Sequence, residues 1–362
     1  MSDRIELSTI DSLYGGYWNY DLKDFRYMIN PYFPPKEMLD KMAANFSTLC
    51  KNYPSTNRYI SELLLKDANI NPGNIVITNG ASELINVIGR LFVKKLAIPI
   101  PTFDEYINRL KIQGKCVSLY KMDKRHNFSL NVDSYITFAR ESNSDVVLFV
   151  RPNNPTGNLI SITEMKHALD ELADFNAIIV DESFMEFSSI SGDTSILEST
   201  KTHKNLIVVK SLGKVYGVPG LRIGCAISGN DERIDMLRRE LPIWNINSFA
   251  QRFIELSDNY REEFRESCLK TVSATQKLYA ELSRLECLQP YTTEANFILC
   301  ELTNNARSSD LVKSLFDNFG ILIYDCSRKI GLDSHFIRIA SRTDEENCDL
   351  VAAIRAWEES QT

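Results

Sequence analysis

Four short segments, each closing an apolar run, carry residues able to do chemistry. One is Ser211-Leu-Gly-Lys214, followed by Val-Tyr-Gly-Val-Pro-Gly-Leu-Arg222, after the run Ile207-Val-Val-Lys210. A lysine in a loop of small residues can serve as nucleophile or base, and a nearby arginine can hold an anion. A second is Asp181-Glu-Ser-Phe184, after Ile178-Ile-Val180. An acid at the end of a buried run is costly unless a cation meets it, and a protonated ring nitrogen would be such a cation. A third, Asn79-Gly80-Ala81-Ser82-Glu83, opens a helical segment. There Gly80 permits a tight turn, and the amides of Ala81 and Ser82 suit a phosphate. The fourth is Arg151-Pro-Asn153-Asn154-Pro-Thr-Gly157, a Pro/Gly turn carrying two amides. Singly, these read more readily as a surface lysine, a capping aspartate, an ordinary helix cap and a plain loop. Their joint occurrence, in one order and always at strand ends, is what those plain readings do not predict.

The elements that must position them alternate. Apolar runs at 74–78, 95–100, 115–120, 145–150, 177–180, 205–210 and 222–227 predict strands. Helical spacing at 82–94, 103–113 and 163–173 separates several of them. Continuous apolar strands divided by helices predict an α/β domain with a mostly parallel, seven-stranded sheet, whose ligands lie at the carboxyl ends of the strands. Residues 1–35, rich in aromatics, Asn and Pro, read as an irregular arm, and 36–50 as a helix with Met38, Leu39, Met42, Phe46 and Leu49 on one side. After about 246 the texture changes. A long helix over 248–284, a strand ending at Cys300, a helix at 308–318, strands at 321–324 and 336–340 and a last helix at 344–358 predict a smaller α+β domain. The expected organisation is an arm (1–35), a large α/β domain (36–246) and a small α+β domain (247–362).

Composition narrows the class. A chain of 362 residues with 44% hydrophobic and 25% charged residues is ordinary for a globular enzyme. A net charge of −7 gives no electrostatic reason to bind nucleic acid or an anionic membrane. No apolar run reaches the ~20 residues of a membrane span. Eight dispersed cysteines without a C-x-x-C pair, and only four histidines, argue against a structural zinc site and for a reduced, cytoplasmic protein. No signal-peptide pattern opens the sequence.

Together the four motifs resemble the fold-type-I enzymes that use pyridoxal 5′-phosphate (PLP), specifically the class I/II aminotransferase superfamily, over about residues 14–358. The resemblance implies that Lys214 holds the cofactor as a Schiff base and moves protons at Cα. It implies that Asp181 pairs with the ring nitrogen, and that Asn154 bonds the ring 3′-oxygen. Ser211, Arg222 and the Gly80-Ala81-Ser82 turn would hold the phosphate. In Pro101-Thr-Phe103-Asp-Glu-Tyr106, Phe103 would stack on the ring, with Tyr106 the second choice. Tyr53 matches a tyrosine that reaches a neighbouring subunit's phosphate, which implies a homodimer with shared sites. Arg338 matches the arginine that grips the substrate carboxylate, and Asn30 is expected to contact substrate. One departure is Phe184, where the family usually has a tyrosine.

Two branches of the family fit: histidinol-phosphate aminotransferases, and the threonine- and serine-phosphate decarboxylases. Tyr14-Gly-Gly, Asp24-Phe25 with Met28-Ile-Asn30-Pro31 and Pro34-Pro35, Val218-Pro-Gly-Leu-Arg222, Trp244-Asn-Ile-Asn247 and Asp325-Cys-Ser327 resemble the decarboxylases more. Tyr14 stands where they usually have histidine. Tyr324 stands where both branches often have an arginine that meets substrate phosphate; Arg328 or Arg151 could substitute for it. The expected activity is decarboxylation of L-serine or L-threonine O-phosphate. The alternative is amino transfer between glutamate or alanine and a small phosphorylated compound.

Overall fold

Runs of β-branched and aliphatic residues form the sheets that carry these loops. The computed structural model describes residues 5–13, 15–64, 71–189, 195–303 and 305–361. In chain order its strands begin with β1 (Lys23–Asp24), β2 (Ile75–Asn79), β3 (Lys95–Ile100), β4 (Cys116–Lys121), β5 (Val146–Val150), β6 (Ala177–Asp181), β7 (Leu206–Lys210) and β8 (Ile223–Ile227). The C-terminal part adds β9 (Leu288–Pro290), β10 (Phe297–Leu302), β11 (Ile321–Leu322), β12 (Tyr324–Asp325) and β13 (Phe336–Ala340).

The large sheet has seven strands in the order β2-β8-β7-β6-β5-β3-β4. All its pairs are parallel except those of β8, which runs antiparallel to β2 and β7. Every residue of β5, β6 and β8 is buried. This matches their unbroken apolar sequence: strands covered on both faces need no polar alternation. The helices Ala81–Phe92 and Glu105–Ile112 pack one face in a shared core with Leu96, Ile98, Leu148 and Ile207. The opposite core holds Tyr135, Met165 and Leu169 from the helices Val132–Glu141 and Ile162–Glu171. The fold is therefore the expected α/β architecture. Each strand start falls within one residue of its predicted place.

The smaller sheet is antiparallel, in the order β12-β13-β10-β9. The arm joins it. β1 pairs in parallel with β11, the Phe25 amide donates to the Leu322 carbonyl (2.7 Å), and the Ala340 amide donates to the Phe25 carbonyl (2.9 Å). Phe25 is fully buried among Leu278, Leu282, Ile298 and Ile337. This anchoring places residues 24–27 beside Arg338 on β13.

Three expectations change. The helix predicted over 36–50 is two helices, Lys36–Ala44 and Phe46–Lys51, and its apolar side is only partly covered: Met38 is buried while Leu39 and Phe46 are exposed. The long helix over 248–284 is Ser248–Ser257 and Arg261–Leu282, separated by a 3-10 turn. The strand over 321–324 splits, because Ile321–Leu322 pairs with the arm whereas Tyr324–Asp325 pairs with β13. Tyr14 lies outside the described residues.

Candidate active site

The loops after β2, β5, β6 and β7 converge at the carboxyl edge of the large sheet, as the topology of such sheets requires. Asp181 ends β6 and is buried. Its Oδ1 accepts from the Ser183 amide (3.0 Å) and hydroxyl (2.5 Å), and its Oδ2 from the Tyr106 hydroxyl (2.9 Å). All three donors are neutral, and among the described residues no cation pairs with it. Burial pushes its pKa up, and the hydrogen bonds from Ser183 and Tyr106 oppose that only in part. The Ser183 hydroxyl also accepts from the Ser211 amide (2.9 Å), tying the β6 loop to the loop that carries Lys214.

Lys214 sits in the short helix Leu212–Val215 that follows β7. Its amine is pushed down to about 8, first by burial, then by Arg338 and Arg222, with Asp24 acting the other way. The Tyr27 ring centroid lies 5.8 Å from the amine. Arg222 has a left-handed backbone (φ 57°) that precedes β8. A Cβ at Gly80 would stand 2.5 Å from the Arg222 Nη2, so the glycine leaves room for this guanidinium over the turn before the helix Ala81–Phe92, and a side chain there would push it aside. No side chain caps that helix. Its first amides, those of Ala81 and Ser82, therefore have no capping side chain in competition with an anion.

Arg338 is buried on β13. One terminal nitrogen donates to the Asn154 Oδ1 (2.7 Å), the other to the Arg26 carbonyl (2.7 Å). Each keeps a second hydrogen, and the buried Nε has no partner. The Tyr324 and Phe297 rings lie 4.6 and 5.6 Å from the guanidinium. Among the described residues no carboxylate pairs with Arg338. Asn154, with its Oδ1 engaged, keeps its Nδ2 as a donor.

Several expected positions resolve differently. Asn30, expected to contact substrate, has its side-chain amide engaged within the chain. Its Nδ2 donates to the Val215 carbonyl (3.0 Å) and to Ser267 (2.8 Å), and its Oδ1 accepts from the Tyr32 amide and Thr271. Its own amide donates to the Lys214 carbonyl (3.0 Å), so it braces the lysine loop instead. Arg151 cannot meet a distal phosphate, because it forms a fully buried ion pair with Glu182 (2.6 Å) and donates to the Ile160 carbonyl. Arg328 is exposed. Phe184 is buried and packs edge-on against Phe297 (5.1 Å), so it is a core side chain. Phe103 is partly buried and meets Tyr106 edge-on (6.4 Å). Tyr53 is 76% exposed and stacks on Trp244 at 4.1 Å.

Residues to which the sequence reading gives no role also lie at the site: Ser183, and from the arm Asp24, the Arg26 carbonyl and Tyr27. Ser183 has a local signal, a serine two positions after a buried aspartate. Of these arm residues the sequence marks only Asp24, within Asp24-Phe25, and without a role, because the arm's place depends on β1 pairing with β11. Among the described residues no group of His, Cys, Asp and Glu could hold a metal, and no helix is long and apolar enough to cross a membrane.

The Arg151–Glu182 pair yields a stability prediction. Glu182→Gln removes a fully buried carboxylate charge that meets this guanidinium. Folding free energy should fall by about 3–5 kcal/mol, read as a lower denaturant midpoint at an unchanged slope.

A parallel-sheet α/β core with a half-buried lysine of lowered pKa, a buried unpaired aspartate and an anion cradle at one sheet edge defines a fold-type-I PLP enzyme. Residues 32–354 match the model of the family "Aminotransferase class I and II", and the chain belongs to that family. It is 34% identical to an L-serine phosphate decarboxylase of Campylobacter jejuni, over 90% of this chain and 85% of that one. It is 35% identical to the CMP-5′-(3-aminopropyl)phosphonate synthase of Streptomyces rubellomurinus, covering 95% of this chain but only 54% of that protein, about half its length. Its fold superposes on a decarboxylase from Sulfurospirillum multivorans with TM-score 0.87 and 28% identity, covering 97% and 91% of the two chains. It also superposes on a histidinol-phosphate aminotransferase from Clostridium acetobutylicum with TM-score 0.84 and 29% identity, covering 94% and 100%.

PLP fits the site. The buried Asp181 carboxylate, met only by neutral donors, suits a protonated ring nitrogen. The Gly80 turn under Arg222 suits the phosphate, and the Asn154 Nδ2 is available to an oxygen of the ring. Only a neutral amine attacks an aldehyde, so the depressed Lys214 sets a pH window. Cofactor loading should rise about tenfold per pH unit on the acid side and level off above about 8. An ordinary lysine would still be climbing near its own value of 10.5. Stopped-flow absorbance during reconstitution of the apo-protein reads this directly.

Proposed function

We propose that this enzyme decarboxylates a small phosphorylated α-amino acid, L-serine or L-threonine O-phosphate, releasing CO₂ and the amine phosphate. The observation that carries the reading is Arg338: a buried guanidinium with no described carboxylate partner, close enough to Lys214 to depress its pKa. Near-full-length likeness to an L-serine phosphate decarboxylase supports it.

Bound PLP supplies an electron sink for whichever Cα bond stands perpendicular to its ring. The chain supplies the rest. Asp181, fixed by Tyr106 and Ser183, holds the positive charge of the ring nitrogen. Asn154 orients both the ring oxygen and Arg338. Arg338 holds the substrate carboxylate through its remaining N–H groups. Arg222 and the amides after Gly80 hold the cofactor phosphate. Lys214 delivers the proton that Cα gains as CO₂ leaves, one proton consumed per turnover.

We also read the active unit as a homodimer in the cytoplasm. Tyr53, Ile243 and Phe46 are strongly exposed (76%, 76% and 60%), a set of apolar side chains suited to a second copy that shares its site. Eight free cysteines suit a reducing compartment.

The superposition on a histidinol-phosphate aminotransferase favours a second reading, amino transfer, in which Lys214 takes the Cα proton. One assay separates the two. Holoenzyme given O-phospho-L-serine or O-phospho-L-threonine should release CO₂ and the amine phosphate in equal amounts. Absence of CO₂, with glutamate converting the bound cofactor to its amine form, would transfer the assignment to the second reading.

A further inference from the structure

Two anion-binding ends of the site are already occupied in this reading. Arg222 stands over the cofactor phosphate and Arg338 takes the substrate carboxylate. A substrate carrying a further anionic group needs a third cation, beyond Arg338 and away from Lys214.

The arm supplies one. The Arg26 carbonyl accepts from Arg338 Nη2 (2.7 Å), so the two arginines adjoin through the backbone. The Arg26 Nε donates to the Ile323 carbonyl (3.0 Å), immediately before Tyr324, whose ring covers Arg338. The Arg26 Nε is thus fixed beside the backbone that leads into Tyr324. The Arg26 side chain is 10% exposed. Its anionic partner is Asp11, paired through Nη1 at 2.8 Å, and that carboxylate is 54% exposed. The Tyr17 hydroxyl also lies close enough to raise its pKa, and the Tyr17 ring stacks on Tyr27 at 5.5 Å, next to Lys214. The pattern is a nearly buried guanidinium held in place by a neutral carbonyl and by one solvated carboxylate. A half-exposed ion pair is weak, whereas a phosphate dianion on an arginine fork is strong.

We infer that Arg26, delivered by the N-terminal arm, reads the distal phosphoryl group of the substrate, with Asp11 holding its side chain ready until that group arrives. The inference rests on the proposed phospho-amino-acid chemistry but concerns a different contact. Phosphate specificity then resides in the arm, while carboxylate capture resides in β13.

Binding of the amine phosphate product tests it without turnover. Phosphoethanolamine has the phosphate but no carboxylate, so it engages Arg26 and not Arg338. Titrated calorimetrically into PLP-loaded protein, it should bind far more tightly than ethanolamine. Arg26→Gln should weaken phosphoethanolamine about 30-fold or more and leave ethanolamine unchanged, with Arg26→Lys recovering part of the loss. Asp11→Asn, a surface change, should tighten phosphoethanolamine by removing the competing carboxylate. In turnover, Arg26→Gln should raise KM for the phosphorylated substrate with little change in kcat. Equal binding of phosphoethanolamine and ethanolamine by the unaltered protein would overturn the inference, as would full phosphoethanolamine affinity in Arg26→Gln, or weaker binding in Asp11→Asn. Failure of CO₂ release alone would strike the decarboxylase reading and leave this contact measurable.

Discussion

Lys214→Ala is expected to abolish covalent retention of PLP and to lower turnover about 10³-fold or more. The expectation comes from a contrast between two lysines four positions apart. Lys210 ends β7 with its side chain 12% exposed and pairs with Glu186 at 2.6 Å. Burial alone would lower its pKa, but Glu186 and Glu182 override it and hold the amine well above its ordinary value. It is charged, engaged and no nucleophile. Lys214 is half-buried with positive neighbours, Arg338 and Arg222, and desolvation and those charges drive its amine down to about 8. Losing it leaves no lysine able to replace it from the same loop. Borohydride reduction followed by peptide mass spectrometry reads the result. The unaltered protein should carry the label on Lys214, and Lys214→Ala should carry none. Label moving to Lys210 would mean that the electrostatic contrast between the two positions has been misjudged.

The same contrast shows which features a sequence expresses. Lys214, Asp181, Asn154 and Arg222 lie in contiguous motifs at strand ends, where chain order alone predicts the sheet edge. The strands themselves are unbroken apolar runs, which only burial on both faces explains. Contacts between distant segments leave no such mark. Arg338 reaches the Arg26 carbonyl across 312 positions, through a strand pair of two residues each. Asn30 lies in an arm that resembles the decarboxylases, yet its amide turns inward to the lysine loop and the helix Arg261–Leu282. Arg151 precedes the Asn-Asn turn and reads as a site cation, until the buried Glu182 is seen to engage it. Helical periodicity over 36–50 marks an apolar side correctly. It cannot say whether that side meets its own chain, and Leu39 and Phe46 do not.

Asp181→Asn should separate stability from catalysis. In the protein without cofactor the carboxylate is buried against three neutral donors, and burial raises its pKa. A carboxyl group with a raised pKa contributes stability that is complete at acid pH and lost as pH rises through its folded value. At neutral pH the apo-protein therefore carries a desolvation cost at this position. An asparagine amide can keep all three neighbours: its oxygen accepts from the Ser183 amide and hydroxyl, and its NH₂ donates to the Tyr106 oxygen, which turns from donor to acceptor. Apo stability at neutral pH should then hold or rise slightly, within about 1 kcal/mol, and the gain should vanish toward acid pH. The loaded enzyme should behave in the opposite way. Without the charge at 181 the ring nitrogen is not held protonated, its capacity to draw electrons from Cα falls, and turnover should drop about 10²–10³-fold. Calorimetric melting of the apo-protein across pH, beside CO₂ release by the loaded variant, tests both halves. An apo-protein destabilised at all pH values would make Asp181 a structural residue whose three hydrogen bonds matter more than its charge.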